Sequence, residues 1–154
     1  MLPVRKLLVP TDFSEPSYRG VKAADELALH FGAELILIHV VTTIQFVPPN
    51  GPPIPAGQQL SILLNELTEA AKQSIGQTIE EMVSHGVASR SFVLIGGPAE
   101  EIVRMAAEEK VDAIVIATHG LTGWRRFIFG SVAEKVVRLA ECPVITIPGG
   151  EDKA

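Results

Sequence analysis

A chain of 154 residues fits one domain, and 47% apolar with 20% charged residues marks a core-forming sequence and excludes a disordered one. A net charge of −5 argues against a nucleic-acid partner, because phosphate backbones require a basic footprint and Arg125–Arg126 is only a local basic spot. The single cysteine, Cys142, excludes an intrachain disulfide, and no apolar run approaches the roughly 18 residues that span a bilayer, so a cytoplasmic protein without a membrane partner is expected.

Val4–Val9 reads as a first strand closed by Pro10; the opening segment is too short and too soon broken by proline for a signal peptide. In "TDFSEPS", Ser14 is a helix cap and Pro16 sits where a first turn tolerates a missing N–H. Helical spacing of Val21, Ala24, Leu27, Ala28 and Phe31 predicts a helix over Ser17–Phe31, ended by Gly32. Glu34–Val41 is a near-continuous apolar run, as a strand covered on both faces reads. Thr42–Gly57 follows, with Pro48, Pro49, Pro52, Pro53 and Pro55. It is read as a proline-rich loop insertion: a lid, a partner surface or a solvated bulge.

Gln58–His85 is predicted helical, with Gly76 as a weak point and Gly86 as its stop; the strand Phe92–Ile95 and the helix Ala99–Lys110 come next. Ala113–Ala117 is another buried strand. A helix over about Ser131–Glu141 opens on "SVAE", where Ser131 and Glu134 have the capping-box pattern, and Val144–Ile147 is the last strand. Strands alternating with helices imply an α/β fold, a doubly wound parallel sheet with helices on both faces, in one domain over residues 1–154.

In such sheets ligands bind at the carboxyl ends of the strands, where strand order reverses. The loops to inspect are "PTDFS", "VTT" with the proline-rich segment, "GGPAEE" and "THGLTGWRRFIFGS". The last holds Gly120, Gly123 and Gly130 and ends at a helix start, which suits an anion: glycine allows close backbone approach and first-turn amides are free. Ser131 either donates to a phosphate or only caps its helix. Asp12 either accepts from a ribose hydroxyl or fixes its own turn. His119 lies on the glycine loop, whereas His39 reads as a hydrogen-bonded core residue and His30 and His85 as structural ends of helices. Trp124 and Phe127–Phe129 are expected to pack the loop down or to meet another subunit. Neither GxGxxG nor GxxxxGK[ST] is present, which disfavours a dinucleotide-binding dehydrogenase and a P-loop NTPase, and no metal-ligand spacing or GxSxG elbow occurs.

Taken together, "PTDFS", "GGPAEEI" and "ATHGLTGWRRFIFGSVAEKVVRLAECPVITIP" resemble the universal stress protein family over essentially the whole chain and in the same order. The resemblance implies five parallel strands in the order 3-2-1-4-5, so that the Asp12 loop and the Gly120–Gly130 loop face one crevice. The ATP-binding branch of that family carries G-x2-G-x9-G-[ST]. Here Gly120, nine residues and Gly130-Ser131 keep the spacing, but Ala117 stands where the first glycine would be. The resemblance implies ATP, or AMP or ADP, with Mg2+ or Mn2+. Pro10, Thr11 and Asp12 would hold the adenosine, with Asp12 on the ribose, and the Val40 backbone would meet the adenine edge. Ile116 and Ala117 would line the pocket, and His119, Gly120, Gly130, Ser131, Val132 and Ala133 would surround the phosphates. It further implies a switch or sensor in the stress response with unidentified protein partners, and a homodimer paired through Pro143–Ile147. A dimeric scaffold that uses no nucleotide and a slow ATP hydrolase or self-phosphorylating protein are the alternatives.

Overall fold

In the computed structural model, which describes residues 3–42, 56–119 and 129–149, strands and helices alternate along the chain. The strands are β1 (Lys6–Pro10), β2 (Glu34–Val41), β3 (Ser89–Ile95), β4 (Ala113–Ala117) and β5 (Val144–Ile147). Between them lie α1 (Glu15–Phe31), α2 (Ala56–Met82), α3 (Pro98–Glu108) and α4 (Ser131–Leu139). All strand pairs are parallel, and the sheet order is β3-β2-β1-β4-β5.

Successive side chains of a strand leave on opposite faces, and the central strands feed two cores. Leu7, Val9, Leu35, Leu37, Ala113 and Val115 join Val21, Ala24, Ala28 and Ile75 on the face covered by α1 and α2. Leu8, Ile36, Ile38, Ile114 and Ile116 meet Ile102, Met105, Ala133 and Val136 on the face of α3 and α4. This double burial explains the apolar runs without alternation in β2 and β4. The edge strand β3 is different: Ser89, Arg90 and Ser91 extend it ahead of the expected Phe92 start, because they pair in register with Leu35, Ile36 and Leu37. Arg90 bonds Glu34 and, at 2.6 Å, Glu109, and both carboxylates hold its guanidinium charged. At the same end Asp112 accepts the Arg5 and Lys6 amides at 2.7 and 2.9 Å, which keeps its carboxyl below the usual range.

Helix boundaries follow capping chemistry. Ser14 caps α1 with its side chain, accepting the Ser17 amide, and Gly32 ends the helix in the left-handed region at φ 64°. α2 begins at Ala56, so the last two residues of the expected proline-rich loop are helical, and it runs straight through Gly76. Gly86 is not its stop. The helix ends at Met82 because the Ser84 amide, which would continue the ladder, bonds to Asp25 Oδ1 at 2.9 Å. The capping box also needs correction. Gly130, extended at φ −71° and ψ 158°, is the N-cap of α4 and its carbonyl accepts the Glu134 amide. Ser131 therefore lies one residue inside the helix, and among the described residues no side chain caps it. Among the described residues no helix is long and apolar enough to cross a membrane.

Candidate functional site

The reversal of strand order falls between β1 and β4. The ladder joining them spans Leu7↔Ala113 and Leu8↔Ile114, whereas that between β1 and β2 continues to Pro10↔Ile38. The chain leaves β1 through Thr11 and Asp12 and leaves β4 through Thr118 and His119, on the same side of the sheet. Such a switch point is where doubly wound sheets open a crevice.

The β1 loop is held by a dense set of hydrogen bonds. Thr11 is buried; its amide donates to the Ile38 carbonyl, and its hydroxyl meets Ser17 Oγ at 2.9 Å and accepts the Phe13 amide at 3.0 Å. Asp12 Oδ1 accepts both the amide (3.0 Å) and the hydroxyl of Ser14, so this half-buried carboxylate fixes its own turn. Phe13 sits at φ 63°, a region that disfavours side chains with a Cβ. Its ring stacks on His39 with centroids 4.4 Å apart, and His39 Nδ1 lies 2.8 Å from the Thr11 carbonyl. His39 is therefore hydrogen-bonded, as expected, but it is only half-buried and stands at the crevice end of β2, next to Val40. The expectation of a core histidine is corrected on that point.

On the other side, Thr118 is buried and its hydroxyl lies 3.0 Å from His119 Nδ1. The Gly130 amide donates to the Thr118 carbonyl at 2.5 Å. A Cβ on Gly130 would sit 3.2 Å from that same oxygen, tighter than an ordinary contact, so the close approach of the two backbone segments favours glycine. The consequence is chemical. With Gly130 as an N-cap lacking a side chain, the amides of Ser131, Val132 and Ala133 have no intrahelical acceptor, and among the described residues no side chain caps them. They form the positive end of a helix dipole aimed out of the sheet end, suited to an anion. Ser131 is exposed at this tip, Val132 half-buried and Ala133 buried.

Ala117 occupies the last position of β4 and shares the α1 face with Ala113 and Val115. The buried Gly20 of α1 lies against it: a Cβ on Gly20 would be 3.7 Å from the Ala117 methyl and 3.3 Å from its amide nitrogen. The methyl is thus received by α1. Ile116 is buried on the opposite face, and Pro10 is half-buried at the end of β1. Gly120 and Gly123, Arg125–Arg126, Trp124 and Phe127, and the proline-rich stretch over 43–55 lie outside the described residues. Phe129 packs on the core beneath α3 and α4. His30, edge-on to Phe31, and His85 are both exposed, remote from the crevice in the chain's layout. A surface cavity of about 260 Å³ lined by Ile79, Glu80, Val83, Ser84, His85, Val87 and Ser89 contains none of the crevice residues.

Fold and crevice define a doubly wound α/β protein with an open helix start at its switch point. The model of the universal stress protein family matches residues 3–148, and the chain belongs to that family. It is 39% identical over 145 residues to the universal stress protein MJ0531 of Methanocaldococcus jannaschii, covering 93% of this chain and 81% of that one. The solved structure of MJ0577 from the same organism has a TM-score of 0.83 at 28% identity, covering 97% and 99% of the two chains. A universal stress protein of Archaeoglobus fulgidus in complex with dAMP matches with a TM-score of 0.54 at 25% identity, over 96% and 99%.

Proposed function

We propose that this protein binds an adenine nucleotide, ATP foremost, in the crevice between the β1 and β4 loops and acts as a nucleotide-dependent switch or sensor in the stress response. The observation that carries the reading is the start of α4, where Gly130 lies against the Thr118 carbonyl and, among the described residues, no side chain caps the three first-turn amides, on the connection that follows β4, the neighbour of β1. The dAMP complex of the Archaeoglobus fulgidus relative supports an adenine nucleotide as the anion. Asp12 would accept from ribose hydroxyls and the Val40 backbone would meet the adenine edge. Pro10, Thr11, Ile116 and Ala117 would wall the pocket, and the amides from Gly130 to Ala133, with His119 and Gly120, would surround the phosphates. Among the described residues no group of three or more His, Cys, Asp or Glu is placed to hold a metal. A divalent ion accompanying ATP would take its oxygens from phosphates and water.

Calorimetric titration with ATP and mass spectrometry of natively purified protein test the proposal together. Heat of binding and a copurified adenine nucleotide are expected; no heat at millimolar ATP and no bound nucleotide would overturn it in favour of a scaffold that uses none. Ala117→Gly is expected to leave ATP affinity within about threefold, because the lost methyl faces Gly20 and not the phosphates. Gly20→Ala instead presses on the Ala117 amide, and a loss of about 1–3 kcal/mol in denaturant unfolding is expected. The same reading pairs two copies through β5, the sheet edge beyond β4, on which Ile145 is 37% exposed. Sedimentation equilibrium would then return the mass of two chains.

A further inference from the structure

We infer that His39 and Phe13 form a clasp that positions the Asp12 carboxylate, so that recognition of ribose hydroxyls depends on two rings that need not touch the ligand. The inference rests on the nucleotide reading above and adds the residues that would make it selective. Asp12 lies between two residues, Thr11 and Phe13, and both are anchored to the same imidazole. The Thr11 carbonyl can only accept, so His39 Nδ1 carries the proton and donates across 2.8 Å. The Phe13 ring lies on the other anchor point, stacked at 4.4 Å with 25° between the planes.

Phe13 holds a left-handed backbone conformation that a residue with a Cβ adopts only when its surroundings impose it. The ring stack and the hydrogen bond from its amide to Thr11 Oγ1 are those surroundings. The turn they impose carries the Asp12 side chain, whose Oδ1 is further tied to Ser14. His39 also stands one residue before Val40 on β2, so one side chain links the ribose side of the proposed site to the adenine side. A carboxylate recognises a hydroxyl pair only from a fixed position, and a site built around such bonds discriminates strongly against ligands that lack them. Local packing alone would not confine the effect of these rings to ribose.

The test titrates wild type, His39→Ala, His39→Asn and Phe13→Leu with ATP and with 2′,3′-dideoxy-ATP, with thermal melts establishing that each variant is folded. Wild type should prefer ATP. His39→Ala and Phe13→Leu should weaken ATP about tenfold while changing the dideoxy nucleotide less than about twofold. His39→Asn, which keeps a side-chain N–H toward the Thr11 carbonyl but loses the ring against Phe13, should recover only part of the loss and preserves the test if the alanine variant does not fold. Equal weakening of both nucleotides, or no weakening of either, would overturn the clasp while leaving nucleotide binding standing. Wild type that binds neither nucleotide would overturn the nucleotide reading itself, and the clasp with it.

Discussion

Gly130→Val is expected to lower ATP affinity at least about 100-fold while the protein remains folded. The backbone at Gly130, φ −71° and ψ 158°, is open to any residue, so the effect does not come from dihedral strain. It comes from contact: a Cβ there stands 3.2 Å from the Thr118 carbonyl oxygen, and the two valine methyls extend beyond it. That oxygen is backbone at the end of β4 and receives the Gly130 amide, so it cannot rotate aside as a side-chain tip would. The start of α4 must move outward, away from where its amides and the Asp12 loop would hold one ligand between them. Hydrogen bonds to a charged acceptor contribute about 1.5–3 kcal/mol each, so misplacing two first-turn amides accounts for a loss of this size. The cost in folding stability is that of an overpacked contact, about 1–3 kcal/mol. Calorimetry with ATP and a thermal melt separate the two effects, and Gly130→Ala should fall between. A valine variant that binds ATP as wild type does would remove the α4 start from the site.

How far sequence alone reaches differs between elements for physical reasons. β2, β4 and β5 have the expected bounds, Glu34–Val41, Ala113–Ala117 and Val144–Ile147, since the segments carry compact apolar runs. β3 is longer than its apolar part because Ser89–Ser91 are recruited by pairing with β2, and Arg90 finds its carboxylates at Glu34 and Glu109, far away in sequence. The start of α4 shows a local pattern outcompeted: S-x-x-E is present, but the Thr118 carbonyl secures Gly130 as the cap and shifts the frame by one residue. Loop and glycine chemistry single out Asp12 and Gly130 as candidates, but not that their connections follow neighbouring strands, β1 and β4; that came only from the strand order that the family resemblance implied. His39 was hidden by its apolar neighbours, because its partners Thr11 and Phe13 lie on another strand's loop.

The end of α2 rests on the same kind of distant contact, and Asp25→Ala is expected to cost about 2–4 kcal/mol, a fall of about 5–15 °C in Tm. Asp25 on α1 is only 7% exposed, and its carboxylate accepts the Ser84 amide at 2.9 Å and the Ser84 hydroxyl at 2.7 Å. Alanine removes two charge-assisted bonds and leaves a backbone N–H to find another acceptor. The carboxylate's own desolvation cost disappears with it, which keeps the net loss below the sum of the two bonds. Asparagine should be milder, with less than about half the loss, because its oxygen can accept the amide while the hydroxyl, both donor and acceptor, turns to receive its NH2. Since the Ser84 amide is diverted from the Glu80 carbonyl in the native fold, Asp25→Ala should also let α2 run on past Met82. Amide exchange at Ser84 would then report a helical bond where wild type has a side-chain one. Ser84→Ala should lose less than Asp25→Ala, and the double variant should fall short of additivity by at least about 1 kcal/mol if the two groups act as one tie. Full additivity, or an unchanged melting temperature in Asp25→Ala, would mean that apolar packing of α2 against β2 and β3 alone sets where the helix ends.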